Sequence, residues 1–125
     1  LTHPILTLPK TAFYYLATPY TNYEGGLEKA YHDARMITAG FLKQGVTVFS
    51  PIVHTHPVAR IGGIDPLDLN IWIPFDEPFM RAAGACIVAM LPGWKKSKGV
   101  RAEIDFFNAA GKPVLYYDPE EEIFE

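Results

Sequence analysis

Pro and Gly cut this chain into short apolar runs that alternate with stretches of helical period, and that alternation limits its fold more than any other feature. Ala12 to Ala17 (AFYYLA) is an apolar, aromatic run that stops at Thr18-Pro19, the mark of a buried strand. The period then turns helical: Leu27, Ala30, Tyr31, Ala34, Ile37, Thr38 and Phe41 share one face, Glu28, His32 and Arg35 another, and Gly45 supplies the stop. Val46 to Ser50 reads as a second strand ended by Pro51, Ala85 to Leu91 as a third ended by Pro92-Gly93, and Pro113 to Tyr117 as a fourth. Ser97 to Ala110 is a long helix with Gly111 just past it, and a shorter helix is expected around Phe75 to Ala83, with Asp76 and Glu77 in its first turn. Strands alternating with helices predict an α/β fold with a parallel sheet and right-handed crossovers. Ile52 to Pro74 shows no clear period and reads as a long functional loop, and Asp118 to Glu125 reads as a solvated acidic tail.

Size and charge narrow the function classes. With 125 residues, 49% of them hydrophobic, the chain can bury a core, but at ~100–150 residues per domain it holds one domain, residues 1–125. A net charge of −3 gives no global attraction to a nucleic acid polymer or an anionic membrane. No run approaches the ~18–20 apolar residues of a membrane span, and Leu1 to Lys10 has neither the basic start nor the apolar core of a signal peptide. Cys86 is the single cysteine, so no intramolecular disulfide framework exists and a cytoplasmic setting is expected. Of the 10 Gly and 11 Pro, Pro19, Pro51, Pro92 and Gly93 stand where three strands end, at Ala17-Thr18-Pro19-Tyr20, Ser50-Pro51 and Leu91-Pro92-Gly93-Trp94, and others fall in the long stretch after Ser50-Pro51. Ligands of open α/β sheets bind beyond these carboxyl ends, although turns need such residues in any case.

One residue breaks the pattern of its helix. Lys98, Arg101, Asp105, Asn108 and Lys112 form a polar stripe that faces water. At ~100° per residue, Glu103 lies about 200° from Arg101, among Val100, Ile104, Phe107 and Ala110. A carboxylate aimed into an apolar face costs several kcal/mol unless something satisfies it. Free backbone N–H groups of the helix start or a buried Arg would do so. The other reading is functional: a carboxylate at the sheet's carboxyl edge, kept ionised by the helix N-terminus and shielded from bulk water, is what a carboxylate nucleophile requires.

The pattern Ser97-x-Gly99-x-x-x-Glu103, after a strand ending Met90-Leu91-Pro92-Gly93, resembles the signature helix of the nucleoside 2-deoxyribosyltransferase superfamily. Tyr15-Leu16-Ala17-Thr18-Pro19-Tyr20 resembles that superfamily's first strand and loop, in its DUF1937-like branch of small phage and bacterial proteins. The resemblance implies a three-layer sandwich with a parallel sheet of four or five strands in flavodoxin-like or Rossmann-like order 2-1-3-4. It implies chemistry at an N-glycosidic bond, with Glu103 as the nucleophile that forms a glycosyl-enzyme. Asp76, 27 positions upstream, matches the carboxylate that handles the base's proton, a division of labour shared with glycosidases. Asp76 also reads as a plain helix N-terminal charge, the role left to Glu77 beside it. Thr18, Pro19, Tyr20 and Gly99 become substrate contacts through the same motifs. In the superfamily the position of Ser97 carries Asp in transferases that take free nucleosides and Ser in relatives that hydrolyse nucleoside 5′-monophosphates.

Residue chemistry adds to this. Lys95, Lys96, Lys98 and Arg101 lie within seven positions of an otherwise acidic chain, around a helix start that binds anions or that Ser97 merely caps. His54 and His56 are expected at the pocket rather than on a metal, since no third ligand stands at suitable spacing; His3 and His32 are given no role. Among the edge aromatics Tyr15, Tyr20, Tyr23, Trp72 and Trp94, the turn residues Tyr20 and Trp94 are the expected stacking partners of a base. Gly25-Gly26 lacks the spacing of a dinucleotide or triphosphate cradle, and no cofactor or metal is implied. The expectation is an enzyme acting on a nucleoside or nucleotide as a homo-oligomer, with a non-catalytic nucleotide-binding module of the same fold as the alternative.

Overall fold

The computed structural model describes residues 8–125, so His3 lies outside the described residues. Five strands form one sheet: β1 (Tyr14–Ala17), β2 (Val48–Phe49), β3 (Ala85–Ala89), β4 (Val114–Asp118) and β5 (Ile123–Phe124). Their order is β2-β1-β3-β4-β5, parallel except for β5, which runs antiparallel to β4. The helices between them are α1 (Leu27–Lys43), α2 (Pro51–Gly62), α3 (Leu69–Ala82) and α4 (Lys98–Ala109), with a 3-10 turn at Trp94–Lys96. The α/β architecture and the order 2-1-3-4 are those expected, extended by one strand.

Alternation along the strands separates two cores. Tyr14, Leu16, Ala85, Ile87 and Ala89 pack with Ala30 and Phe41 of α1. Tyr15, Ala17, Cys86 and Val88 point the other way, onto Val100, Ile104 and Phe107 of α4 and the partly buried Phe79 and Met80 of α3. The chain leaves β1 for β2 on one side and returns to β3 on the other, which places the reversal of strand order at β1 and β3, the usual ligand crevice of such sheets.

Two segments differ from the sequence reading. Ile52 to Pro74 is not a loop: it holds most of α2 and the start of α3. Ser50 caps α2, its Oγ accepting from Val53 N at 3.3 Å, Pro51 fills the first turn, and Gly63 ends it at φ 64°. Asp68 caps α3, its Oδ1 accepting from Asn70 N at 3.0 Å. Pro57, Pro74 and Pro78 stand inside these helices, where each removes an N–H donor and crowds the preceding turn, and so disguise the helical period. Asp76 and Glu77 therefore sit mid-helix, not in a first turn, and Glu77 pairs with Arg81 one turn on. The acidic tail is not simply solvated. Asp118 Oδ1 accepts from Glu120 N at 2.9 Å and Glu121 N at 3.3 Å, turning the chain so that Phe124 packs on Tyr117, 5.1 Å between ring centroids.

Lys112 also departs from the expected solvent stripe. Its Nζ donates to the carbonyls of Met80 (3.1 Å), Arg81 (2.5 Å) and Ala83 (2.7 Å), clamping the carboxyl end of α3. No residue of α3 is fully buried, so this clamp carries unusual weight in holding the helix that bears Asp76. Ala110, expected in the core, is exposed.

Candidate active site

Three polar side chains converge from three elements on the face of the sheet covered by α3 and α4. Tyr15 of β1 is fully buried, flanked by Phe49 (ring centroids 6.2 Å) and Phe107 (5.7 Å), and registers with Cys86 of β3. Glu103 lies in the second turn of α4, half-buried as a residue but with its carboxyl desolvated. Asp76 comes from α3, close enough for its charge to act on both. No ion pair reaches Glu103 among the described residues, so the buried-Arg reading fails.

The electrostatics correct one expectation. Glu103 is not held ionised: burial pushes its pKa up to about 8, the Tyr15 hydroxyl opposes that by favouring the carboxylate, and the Asp76 charge adds to the rise. Burial alone raises Asp76 to about 6. The Tyr15 hydroxyl is raised out of any titrating role, first by burial and then by Glu103. Tyr15 Oη acts on Glu103 electrostatically yet stands outside full hydrogen-bond geometry, and Asp76 Oδ1 and Thr18 Oγ1 are likewise buried with no partner among the described residues. Such orphaned buried atoms cost about 1–3 kcal/mol each unless a ligand or water completes them. Carboxyls of unequal proton affinity in one buried cluster are suited to proton exchange with a bound molecule.

Of the remaining expected site residues, Trp94 packs against the core that holds Tyr15, and Tyr20 against the core on the other face of the sheet. Thr18 and Pro19 are buried where β1 ends, and Tyr20 is half-buried just after them. Ser97 caps α4, its Oγ accepting from Val100 N at 3.2 Å, which leaves the hydroxyl's own hydrogen available. A Cβ on Gly99 would meet only Ser97 Oγ, at 3.9 Å, so the protein alone does not demand a glycine there. Trp94 packs on Tyr116 at 5.6 Å and lines a cleft of about 620 Å³ with Lys95, Lys96, Asp118 and Glu120. This cleft at the carboxyl edge does not include Glu103, and a second cavity of about 370 Å³, lined by Tyr14, Gly45 and Thr47, lies away from the carboxyls. Lys95, Lys96, Lys98 and Arg101 are exposed. The cluster therefore joins Glu103 and Asp76, while the Trp94 cleft stands beside it.

His54 is not in the pocket: it is exposed and stacks on Phe75 at 5.3 Å. Its neighbour His56 is the buried one, bonded to Tyr20 and Glu28. Once 51–62 is read as a helix, Thr55, His56 and Ala59 fall on its buried side, a signal lost when the segment is taken for a loop. Tyr15 was legible only as an edge aromatic, although strand alternation points its hydroxyl toward Glu103's helix. Among the described residues no three His, Cys, Asp or Glu gather as a metal site, and no helix is long and apolar enough to cross a membrane. A family model described as "Domain of unknown function (DUF1937)" matches residues 12–119. No curated protein matches the chain.

Proposed function

We propose that this chain, which belongs to the DUF1937 family, is an enzyme of the nucleoside 2-deoxyribosyltransferase kind that breaks the N-glycosidic bond of a nucleoside or nucleoside 5′-monophosphate. The observation that carries the reading is the buried cluster of Tyr15, Asp76 and Glu103, in which Tyr15 Oη and Asp76 Oδ1 lack partners. With affinities of about 6 and about 8, the two carboxyls share one proton near neutral pH. In the reactive state Asp76 holds that proton and Glu103 is the carboxylate, stabilised as the Tyr15 hydroxyl closes onto it. A Glu103 oxygen attacks C1′, the C1′–N bond breaks with its electron pair moving to the base, and the base takes the proton from Asp76. Water or a second base then attacks C1′ and gives its proton to Asp76, and Glu103 leaves as a carboxylate.

Substrate recognition in this reading uses the start of α4. The first-turn N–H groups of Lys98 and Gly99, the Ser97 hydroxyl and the exposed lysines around them suit a 5′-phosphate, and Thr18, Tyr20 and Trp94 border the sugar and base. No cofactor is called upon. A second copy of the chain belongs to the same reading: Val58, Ile61, Leu67, Leu69, Ile71 and Ile73 are exposed along α2, the connection after it and α3, the helix that itself carries Asp76. The test is a panel of nucleosides and 5′-monophosphates, with and without an acceptor base, followed by chromatography. Base release by the wild type and its loss in Glu103→Gln are expected; nucleotide binding without release from any member would overturn catalysis in favour of a binding module.

A further inference from the structure

A second polar network, separate from the carboxyl cluster, joins the loop after β1 to α1 and α2. His56 is 4% exposed. Its Nδ1 lies 2.6 Å from Tyr20 Oη, and its Nε2 bonds Glu28 Oε2. Arg60 Nη1 donates to the other Glu28 oxygen at 2.8 Å. Tyr31 stacks on the imidazole at 4.5 Å, Arg35 lies over Tyr31 at 4.2 Å, and Tyr20 meets the imidazole edge-on at 5.7 Å. Ring orientation and partners are thereby fixed on every side.

Donor and acceptor roles follow from chemistry. The bond from His56, and then Arg60, holds Glu28 below the usual carboxylate range, so Glu28 only accepts and His56 Nε2 carries the hydrogen. In a neutral imidazole Nδ1 is then a bare acceptor, and Tyr20 must donate to it. The phenol's single hydrogen is spent, and its remaining lone pair is all it offers a ligand. A proton added at Nδ1 reverses this: Nδ1–H donates to Tyr20 Oη, and the phenol hydrogen turns outward. The charged and titratable groups facing the imidazole are Tyr20 from the loop, Glu28 and Tyr31 from α1, with Arg35 behind Tyr31, and Arg60 of α2 through Glu28.

We propose that His56 sets the hydrogen-bond polarity of Tyr20, making Tyr20 a specificity-determining residue that takes a donor group of the ligand while His56 is neutral and an acceptor group once it is charged. The ligand, a nucleoside or nucleotide, rests on the proposed function; the polarity of the hydroxyl does not. The donor is an exocyclic amino group of the base or a sugar hydroxyl.

Two measurements on the full chain test this. Ring ¹⁵N spectra of His56 through a pH titration should show Nε2 protonated and Nδ1 bare in the neutral form; a neutral ring protonated at Nδ1 would overturn the assignment. Calorimetry then compares adenine with hypoxanthine and cytosine with uracil nucleotides, and 2′-hydroxyl with 2′-deoxy forms, which separates base from sugar as the source of the donor. At a pH where the spectra show the ring neutral, the donor-bearing member should bind about tenfold more tightly, one hydrogen bond's worth. Tyr20→Phe and His56→Phe should bring the two members of each pair to equal affinity, with His56→Gln as a milder variant if His56→Phe does not fold. A preference unchanged in Tyr20→Phe would refute the proposal. If no nucleotide binds the wild type, the proposed function and the ligand named here both fall, and the spectra still decide the polarity of Tyr20.

Discussion

Glu103→Gln should stabilise the fold in alkaline solution while removing the nucleophile. Burial raises the Glu103 carboxyl from 4.5 to about 8, so between these values the folded chain holds a proton that the unfolded chain has lost. Folding stability from this group therefore falls as pH rises through that window and stays low above it. At about 1.4 kcal/mol for each tenfold change in proton affinity, the full penalty is on the order of 5 kcal/mol. A glutamine does not titrate and is neutral like the protonated carboxyl it replaces, so the gain expected is almost none near pH 4.5 and about 4 kcal/mol near pH 8.5. Urea unfolding of both proteins at the two pH values, with equal slopes against denaturant, measures this directly. A variant no more stable than wild type near pH 8.5 would refute the claim that the Glu103 carboxyl is desolvated without compensation.

The proposed turnover should follow a bell-shaped pH profile with limbs at about 6 and about 8, since the pair must hold one proton, and a profile flat across that range would contradict it. Tyr15→Phe removes the group that favours ionised Glu103, so kcat should fall and the alkaline limb should move upward, read from the same profile. Lys112→Met frees three carbonyls at the end of α3, which should cost about 1–3 kcal/mol and speed amide exchange in α3 before the rest of the chain. Sedimentation should show self-association that is lost in the double variant Ile61→Lys, Ile73→Glu; a wild type that stays monomeric at high concentration would remove the second copy from the account.

The sheet was legible because its strands are short apolar runs with sharp Pro or Gly stops, and because the faces of α1 and α4 carry clean helical period. Glu103 stood out for a physical reason, a carboxylate at an angle where only apolar neighbours lie. Its protonation was misjudged, since sequence places the helix start nearby but not the depth of burial that outweighs it. The stretch 52–74 reads as a loop because Pro57 and Pro74 mimic loop composition, although Ser50-Pro51 and Gly63 mark a helix start and stop, while the helix expected over 75–83 is present as the later part of α3. Without that helix Asp76 falls at a helix end, and His54 and His56 cannot be told apart as exposed and buried. The clamp by Lys112 depends on a contact with α3 some thirty positions earlier and has no local signature.

Mass spectrometry of the acid-quenched protein, after incubation with the nucleosides and 5′-monophosphates whose base it releases, tests the central claim most directly. The account predicts a peptide containing Glu103 heavier by one sugar or sugar-phosphate residue, absent in Glu103→Gln. Base release that persists undiminished in Glu103→Gln, or a sugar adduct on any other residue, would contradict it.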